Sequence, residues 1–384
     1  MSALPSAPVH AAAEQRLAEI DRARRALMQD GPTPTATPDA APDCLRGDRA
    51  WIRQSWRRCL DQGLRPADAV AFQLVPAAAQ RRIADENAAL VRAARPVLEQ
   101  LCRAIAHSRY FAVLTNAQGV VIDAQGAFDR SDRRASLITR VGTDLSERSI
   151  GTSAIGAALH ELAPVWLHRG EHFFEATGAY SCAGAPLFGP DGQCIGMLDL
   201  TGIEAHERPE LRHLAARSAR SIENALLLAQ PHAMVLRLNW PGLRCGDEGD
   251  GLICVDADGA MVGTNLAARE MVGELASGPR GAVHCSDVFA MPWEHLGDAM
   301  RLGRAIEVPL WSGLRLTALA LPRSLEATPA AAAAAAPLAL KDLQTGLIRQ
   351  AVLEARGNVM EAARKLGISR ATVYRRLGSK PPAR

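Results

Sequence analysis

The sequence predicts an α+β multidomain protein: an antiparallel sheet with flanking helices, then a small α/β domain, followed by an all-α helix-turn-helix near the C-terminal end. Three observations carry that expectation. Paired runs at strand period, joined by Gly/Asp/Asn turns, occur in two separate stretches, and long runs at helical period bracket the first of them. The third is charge. Residues 338–384 hold ten basic against three acidic side chains, a net of +7, so the remainder carries −4 of the overall +3. A polyanion partner is therefore expected for the tail and not for the body. With 384 residues, 48% of them hydrophobic, the chain has room for two or three cores.

The opening residues contain no basic n-region followed by an apolar run, and no stretch approaches a membrane span, so a cytoplasmic protein is expected. Its eight cysteines form no Cys-x-x-Cys pair, which excludes a zinc ribbon and reads as reduced thiols. Residues 10–29 can form a short charged helix, but Pro32, Pro34, Pro38 and Pro42 follow, and a poorly ordered segment is expected over 1–47. A helix over Asp48–Gln62 ends at Gly63. The strongest periodic signal, Ile83, Leu90, Val91, Ala94, Leu98, Leu101 and Ile105, predicts one helix from Gln80 to His107 despite Pro96.

The period then changes. Tyr110–Thr115 and Val120–Asp123 flank the turn Asn116–Gly119, and Ala183–Phe188 and Gln193–Leu200 flank the turn Gly189–Gly192. Between these hairpins lie a tight loop feeding a helix (Ser149–His160) and a short strand, Pro164–His168. A helix carrying Leu211, Leu214, Ala215, Ile222 and Leu226 closes a first folded region over 48–230.

Strands at Gly251–Asp256, Met261–Thr264, Ala305–Trp311 and Leu314–Leu321, with a helix from Asn265 to Glu274, resemble a small PAS-like α/β domain over 233–322. Residues 323–337, with seven alanines between Pro329 and Pro337, read as a linker. The end of the chain, 338–384, reads as a helix-turn-helix. Val359, Ala362, Ala363 and Leu366 form one apolar stripe, Gly367 stops that helix, Ser369 caps the next, and Val373 and Leu377 hold the pair together. The exposed remainder suits a DNA groove: Arg370 and Arg375 for bases or phosphates, Thr372, Tyr374 and Arg376 in support, Ser369 at the turn and Asn358 as a cap near a phosphate.

Five ordered motifs carry a family resemblance: Ser55–Cys59 (SWRRC), Ile150–Gly156 (IGTSAIG), Gly170–Phe174 (GEHFF), Ser181–Pro186 (SCAGAP) and Gly196–Gly202 (GMLDLTG). Together they resemble the sensory half of the acetoin-catabolism activator family, over residues 50–230 and 338–378. The resemblance implies a GAF-like sensor domain and a Fis-type helix-turn-helix, with Ser153 standing where the family usually has asparagine. Larger members of the family carry a central AAA+ ATPase that acts on polymerase bound to sigma-54. A phosphate loop needs Gly-Lys-Ser/Thr, and no Gly-Lys occurs in these 384 residues.

The expected effector site comprises Gly151, Thr152, Ser153, Trp166, His168, His172, Phe174 and Cys182, an aromatic, imidazole and thiol cluster punctuated by glycines. A sharper reading makes His168, His172 and Cys182 ligands of a transition metal, though no fourth ligand is identifiable. Packing alone is the bland reading. A thiol nucleophile at Cys182 lacks a recognisable orienting group, so no enzyme and no cofactor is expected. The function that follows is a sequence-specific, DNA-binding transcription regulator sensing a small molecule without ATPase-driven activation. Its expected partners are a palindromic double-stranded DNA site, the effector, a second copy of the chain and RNA polymerase, with no membrane. The alternative is a signalling or scaffold protein whose GAF domain takes a metal or redox signal and a protein partner.

Overall fold

A computed structural model of the chain describes residues 7–29, 45–275, 283–323, 359, 360, 363 and 373. The chain divides between Arg323 and Ser324 into two units. The first opens with α1 (Ala7–Gln29), whose Ile20 is fully buried, with Ala23 and Leu27 against the same core. This corrects the expectation of a poorly ordered start over 1–47, within the part described. Arg16 pairs with Glu171 and Glu207, and Arg24 donates to the Phe173 carbonyl. Partners so distant in sequence leave no local signal, which is why a charged helix ahead of a proline run reads as unattached.

Next come α2 (Trp51–Asp61), α3 (Ala77–Glu86) and α4 (Ala88–Ile105). The single helix expected over 80–107 is two, broken at Asn87, whose side-chain amide donates to the Ile83 carbonyl at 2.8 Å. Pro96 sits inside α4 without ending it. The first sheet then assembles from β1 (Tyr110–Asn116), β2 (Val121–Gln125), β3 (Val165–His168), β4 (Tyr180–Phe188) and β5 (Cys194–Ile203). Three helices interrupt it: α5 (Arg133–Thr139), α6 (Glu147–Ile150) and α7 (Ala154–Glu161). The strands are antiparallel in the order β2-β1-β5-β4-β3, which puts β5 at the centre.

Alternation along each strand sorts side chains to two faces. Ala112, Leu114, Leu198 and Leu200 pack on α4 and on α8 (Leu211–Leu228). Phe111, Val113, Met197 and Ile203 face the opposite way, into a core shared with α2, α5, α7 and α1. Each fully buried leucine of these layers contributes about 2 kcal/mol before entropy is counted.

The second sheet comprises β6 (Met234–Asn239), β7 (Gly251–Val255), β8 (Met261–Thr264), β9 (Ile306–Pro309) and β10 (Arg315–Pro322). It is antiparallel in the order β8-β7-β6-β10-β9. One face is covered by α9 (Leu266–Met271), α10 (Cys285–Val288) and α11 (Glu294–Leu302). Through Val235, Leu252 and Cys254 the other face meets Leu227 of α8. The joint between the sheets is polar as well: the Thr264 backbone amide donates to the Pro190 carbonyl at 2.9 Å and the Asn265 side-chain Nδ2 to Asn224 Oδ1 at 2.9 Å. The central strand β6 was not among the strands expected from the sequence.

In the second unit Val359, Met360, Ala363 and Val373 are helical, with Ala363 and Val373 buried and Met360 exposed, as the apolar faces of the expected helix pair require. Asn358, Ser369, Arg370, Thr372, Tyr374, Arg375 and Arg376 lie outside the described residues, as do 324–337. Among the described residues, no helix is long and apolar enough to cross a membrane.

Candidate ligand site

The central strand decides where polar chemistry enters the first core. Met197, Asp199, Thr201 and Ile203 share one face of β5, so the motif GMLDLTG sends a carboxyl and a hydroxyl inward between apolar neighbours. They border a narrow cavity of about 30 Å³, which has room for only a few heavy atoms. Its apolar wall comes from Phe72, Val113, Ile138, Leu145, Ile150, Ala154 and Ile155. The polar wall is Ser153, His172, Thr177, Tyr180, Cys182, Asp199 and Thr201.

Most of these polar groups are already engaged. Thr201 donates its hydroxyl to Asp199 Oδ2 and so accepts from the Cys182 thiol at 3.5 Å. Tyr180 donates to the Arg134 carbonyl at 3.2 Å and Thr177 to the Phe174 carbonyl at 2.8 Å. Ser153 caps α7, accepting from the Gly156 amide at 3.2 Å. Two atoms are left over. Asp199 Oδ1 and His172 Nε2 are buried without a hydrogen-bond partner among the described residues, and a buried polar atom left unpaired costs stability.

Burial also sets the charges. It pushes the Asp199 carboxyl up to about 7, relieved only in part by Thr201, and pushes His172 down, so that its imidazole is neutral. The Cys182 thiol is raised well above its ordinary value by the same desolvation, which makes it a packed, inert thiol rather than a nucleophile.

Of the eight residues expected at the site, Ser153, His172 and Cys182 line the cavity. Gly151 and Thr152 stand behind it. Gly151 has φ +66° and a Cβ there would meet the Phe173 Cβ at 2.8 Å, so the residue lets the loop and the Phe173 wall close on each other. Thr152 is hydrogen-bonded to Ser55 at 2.7 Å. That serine belongs to a bracket built from SWRRC: Ser55 and Arg58 both grip Glu147, Arg58 through two bonds of 2.8 and 2.9 Å, and Trp56 donates to the Glu171 carbonyl at 2.9 Å. Phe174 is core, edge-on to Phe173 with ring centres 5.1 Å apart.

Trp166 and His168 do not reach the cavity, which corrects that part of the expected site. Val165 and Leu167 take the inward parity of β3 and leave Trp166 and His168 on the other face. Trp166 lies under the guanidinium groups of Arg16 and Arg49, 4.5 and 3.6 Å from its ring centre. His168 Nδ1 bonds Ser181 Oγ at 2.6 Å, and burial with neighbouring arginines pushes the imidazole down to about 4. Beside them the buried Glu171 binds Arg16 and, at 2.6 Å, Arg49, while its other oxygen accepts from the His168 amide at 2.7 Å. The metal reading of His168, His172 and Cys182 therefore has no common centre. Among the described residues, no three His, Cys, Asp or Glu side chains gather as metal ligands.

Sequence reasoning missed Asp199, Thr201, Thr177 and Phe72 as wall residues. A signal for Asp199 was present: an acid set between Leu198 and Leu200 in an apolar strand has to face a core or a ligand.

The sheet thus holds an unsatisfied polar pair in its core, on a chain that also carries a basic segment with the helix-turn-helix sequence pattern. Residues 21–224 match the family model described as MimR, N-terminal domain, and residues 339–378 match that of bacterial regulatory protein, Fis family. The chain belongs to the MimR N-terminal-domain family and carries a Fis-family segment. The acetoin catabolism regulatory protein of Cupriavidus necator is 32% identical over 261 residues, covering 65% of this chain and 39% of that protein. The propane 2-monooxygenase operon transcriptional activator MimR of Mycolicibacterium smegmatis is 29% identical over 210 residues, covering 54% and 33%. The chain thus spans at most about two fifths of the length of these relatives. Both carry the names of regulators, in line with the expectation of a non-enzymatic protein. Among solved structures, the E. coli DhaR(N)-DhaL complex is similar with a TM-score of 0.43 and 16% identity, covering 71% of this chain and 99% of that one.

Proposed function

We propose that the chain is a cytoplasmic transcription regulator that binds a small effector in the cavity under β5 and double-stranded DNA through residues 338–384. The observation that carries this is the coincidence of the Fis-family segment, 339–378, with the +7 stretch of an otherwise acidic chain. One such module reads few base pairs. Binding as a homodimer to a palindromic site, with half-sites about one helical turn apart, supplies the missing affinity. No phosphate loop stands in these residues, so the effect on RNA polymerase is assigned to where the protein sits on DNA rather than to ATP-driven remodelling. The names of the relatives, which refer to acetoin catabolism and to a propane 2-monooxygenase operon, support an effector drawn from small carbon metabolites.

Gel-shift titration at fixed salt tests the DNA end. Arg370→Ala and Arg375→Ala each lose about 1–3 kcal/mol of binding if they read bases, and wild-type affinity in both variants sinks the assignment.

A further inference from the structure

The break between α3 and α4 leaves a groove that shares no wall residue with the cavity under β5. Ile83 and Ala84 near the end of α3 and Ala88, Val91 and Arg92 near the start of α4 line it on either side of Asn87. The edge strand β2 closes it with Val121 and Ile122. Its volume is about 290 Å³ against about 30 Å³ under β5, close to the ~300 Å³ at which small-molecule pockets begin. Most of the wall is apolar. Ile83 and Val91 also pack on the core behind α4, and Val141 lines the groove while 51% exposed, so a ligand lying there removes apolar surface from water.

The polar side chains of the groove bring donors and a positive charge. Gln80 Nε2 donates one hydrogen to the Val75 carbonyl at 2.9 Å and Asn87 Nδ2 donates one to the Ile83 carbonyl at 2.8 Å, so each amide retains a second N–H. Arg92 is exposed and has no ion pair or hydrogen bond of its side chain among the described residues. Among the described residues no aspartate or glutamate lines the groove. We propose that this groove binds a small amphiphilic anion, a carboxylate carried on an apolar chain, with the carboxylate on Arg92 and the chain along Ile83, Val91, Ile122 and Val141. It is a ligand site of the first sheet separate from the cavity, and it stands whether or not the cavity takes the effector. An amine on the same chain meets Arg92 with no acid to offset the repulsion, and a neutral head group forgoes the ion pair. At an exposed position that pair is modest and screened by salt, so the apolar walls supply most of the affinity and Arg92 supplies the choice between head groups.

Isothermal titration of the full chain with octanoate, 1-octanol, octylammonium and acetate, each below the concentration at which it self-associates, tests this. Thermal shifts give a second readout, because a ligand of the native state raises Tm. Octanoate should bind about threefold tighter than octanol, with octylammonium weakest and acetate, which has no chain, not binding measurably. Octanol is the less hydrated of the first two, so a preference for octanoate has to come from its charge. Arg92→Gln, a change at an exposed position, should remove that preference while leaving octanol affinity and Tm unchanged. Ala84→Trp, which fills the groove from an exposed position of α3, should abolish binding of both chains. Octanol or octylammonium binding as tightly as octanoate overturns the proposal, as does an octanoate preference that survives Arg92→Gln, octanoate binding that survives Ala84→Trp, or no octanoate binding at all. Sedimentation velocity of Val141→Asp covers the remaining occupant. Weaker octanoate binding at unchanged mass supports the proposal, and a fall from dimer to monomer overturns it, since the groove is then a contact between two copies of the chain.

Discussion

The two sheets of the first unit are the same arrangement reached by different routes along the chain. Counted by strand rank, the first runs 2-1-5-4-3 and the second 3-2-1-5-4; moving β6 from the beginning of its region to the end turns the second order into the first. The central strands occupy equivalent places but carry different inward residues. On β5 these are Met197, Asp199, Thr201 and Ile203, and on β6 they are Met234, Leu236 and Leu238. One core retains unpaired buried polar atoms, Asp199 Oδ1 and His172 Nε2 among them, and a cavity, whereas the other packs β6 in apolar contacts. The polar wall of the cavity therefore follows in part from two inward side chains of the central strand, Asp199 and Thr201, and strand order does not decide it.

That contrast can be broken most forcefully by exchanging its chemistry. Leu236→Asp places an unpaired carboxylate in the closed core, and urea unfolding should reveal a loss of about 5 kcal/mol. A loss below about 1 kcal/mol would mean that the second sheet tolerates an inward acid as the first does. Asp199→Asn makes the complementary change. Its carboxyl is held up near 7 in the folded protein against an ordinary value of 3.8, so the protonated acid is the better tolerated form. Stability is then full below about pH 4 and falls as pH rises to about 7, by up to roughly 4 kcal/mol, and the Asn variant should lack that slope in ligand-free unfolding curves. The smallest effect compares the helix caps beside the two sheets. Asn265 makes four hydrogen bonds, accepting from the Leu252 and Ala268 amides and donating to Asn224 and the Asp250 carbonyl, while Ser153 makes one. Asn265→Ala should cost about 2 kcal/mol and Ser153→Ala about 1 kcal/mol, and equal losses would erase the difference.

Much of this was legible from local signals. The turns Asn116–Gly119 and Gly189–Gly192 announced their hairpins, and Ser153 announced the start of α7, because a turn or a cap is decided within a few residues. The site was legible in part. Trp166, His168, His172 and Cys182 crowd together along the sequence, but crowding carries no parity, and the strand period sent Trp166 and His168 to the face away from Cys182. The bond of Arg16 to Glu171 spans 155 positions, beyond the reach of any periodicity argument, so α1 went unrecognised as part of the fold. β6 escaped for a similar reason: its second partner, β10, begins at Arg315.

The place of β6 at the front of its sheet also bears on how the protein is made. As the chain leaves the ribosome, the first sheet has all its strands once Ile203 has emerged, and its central strand finds both neighbours waiting. In the second sheet the central strand comes first and can pair with β7 at once, but its other edge stays open until Arg315–Pro322 has been synthesised. During that interval the finished helix α8, whose Leu227 packs on Val235, Leu252 and Cys254, is the surface already in place to shelter the half-built sheet.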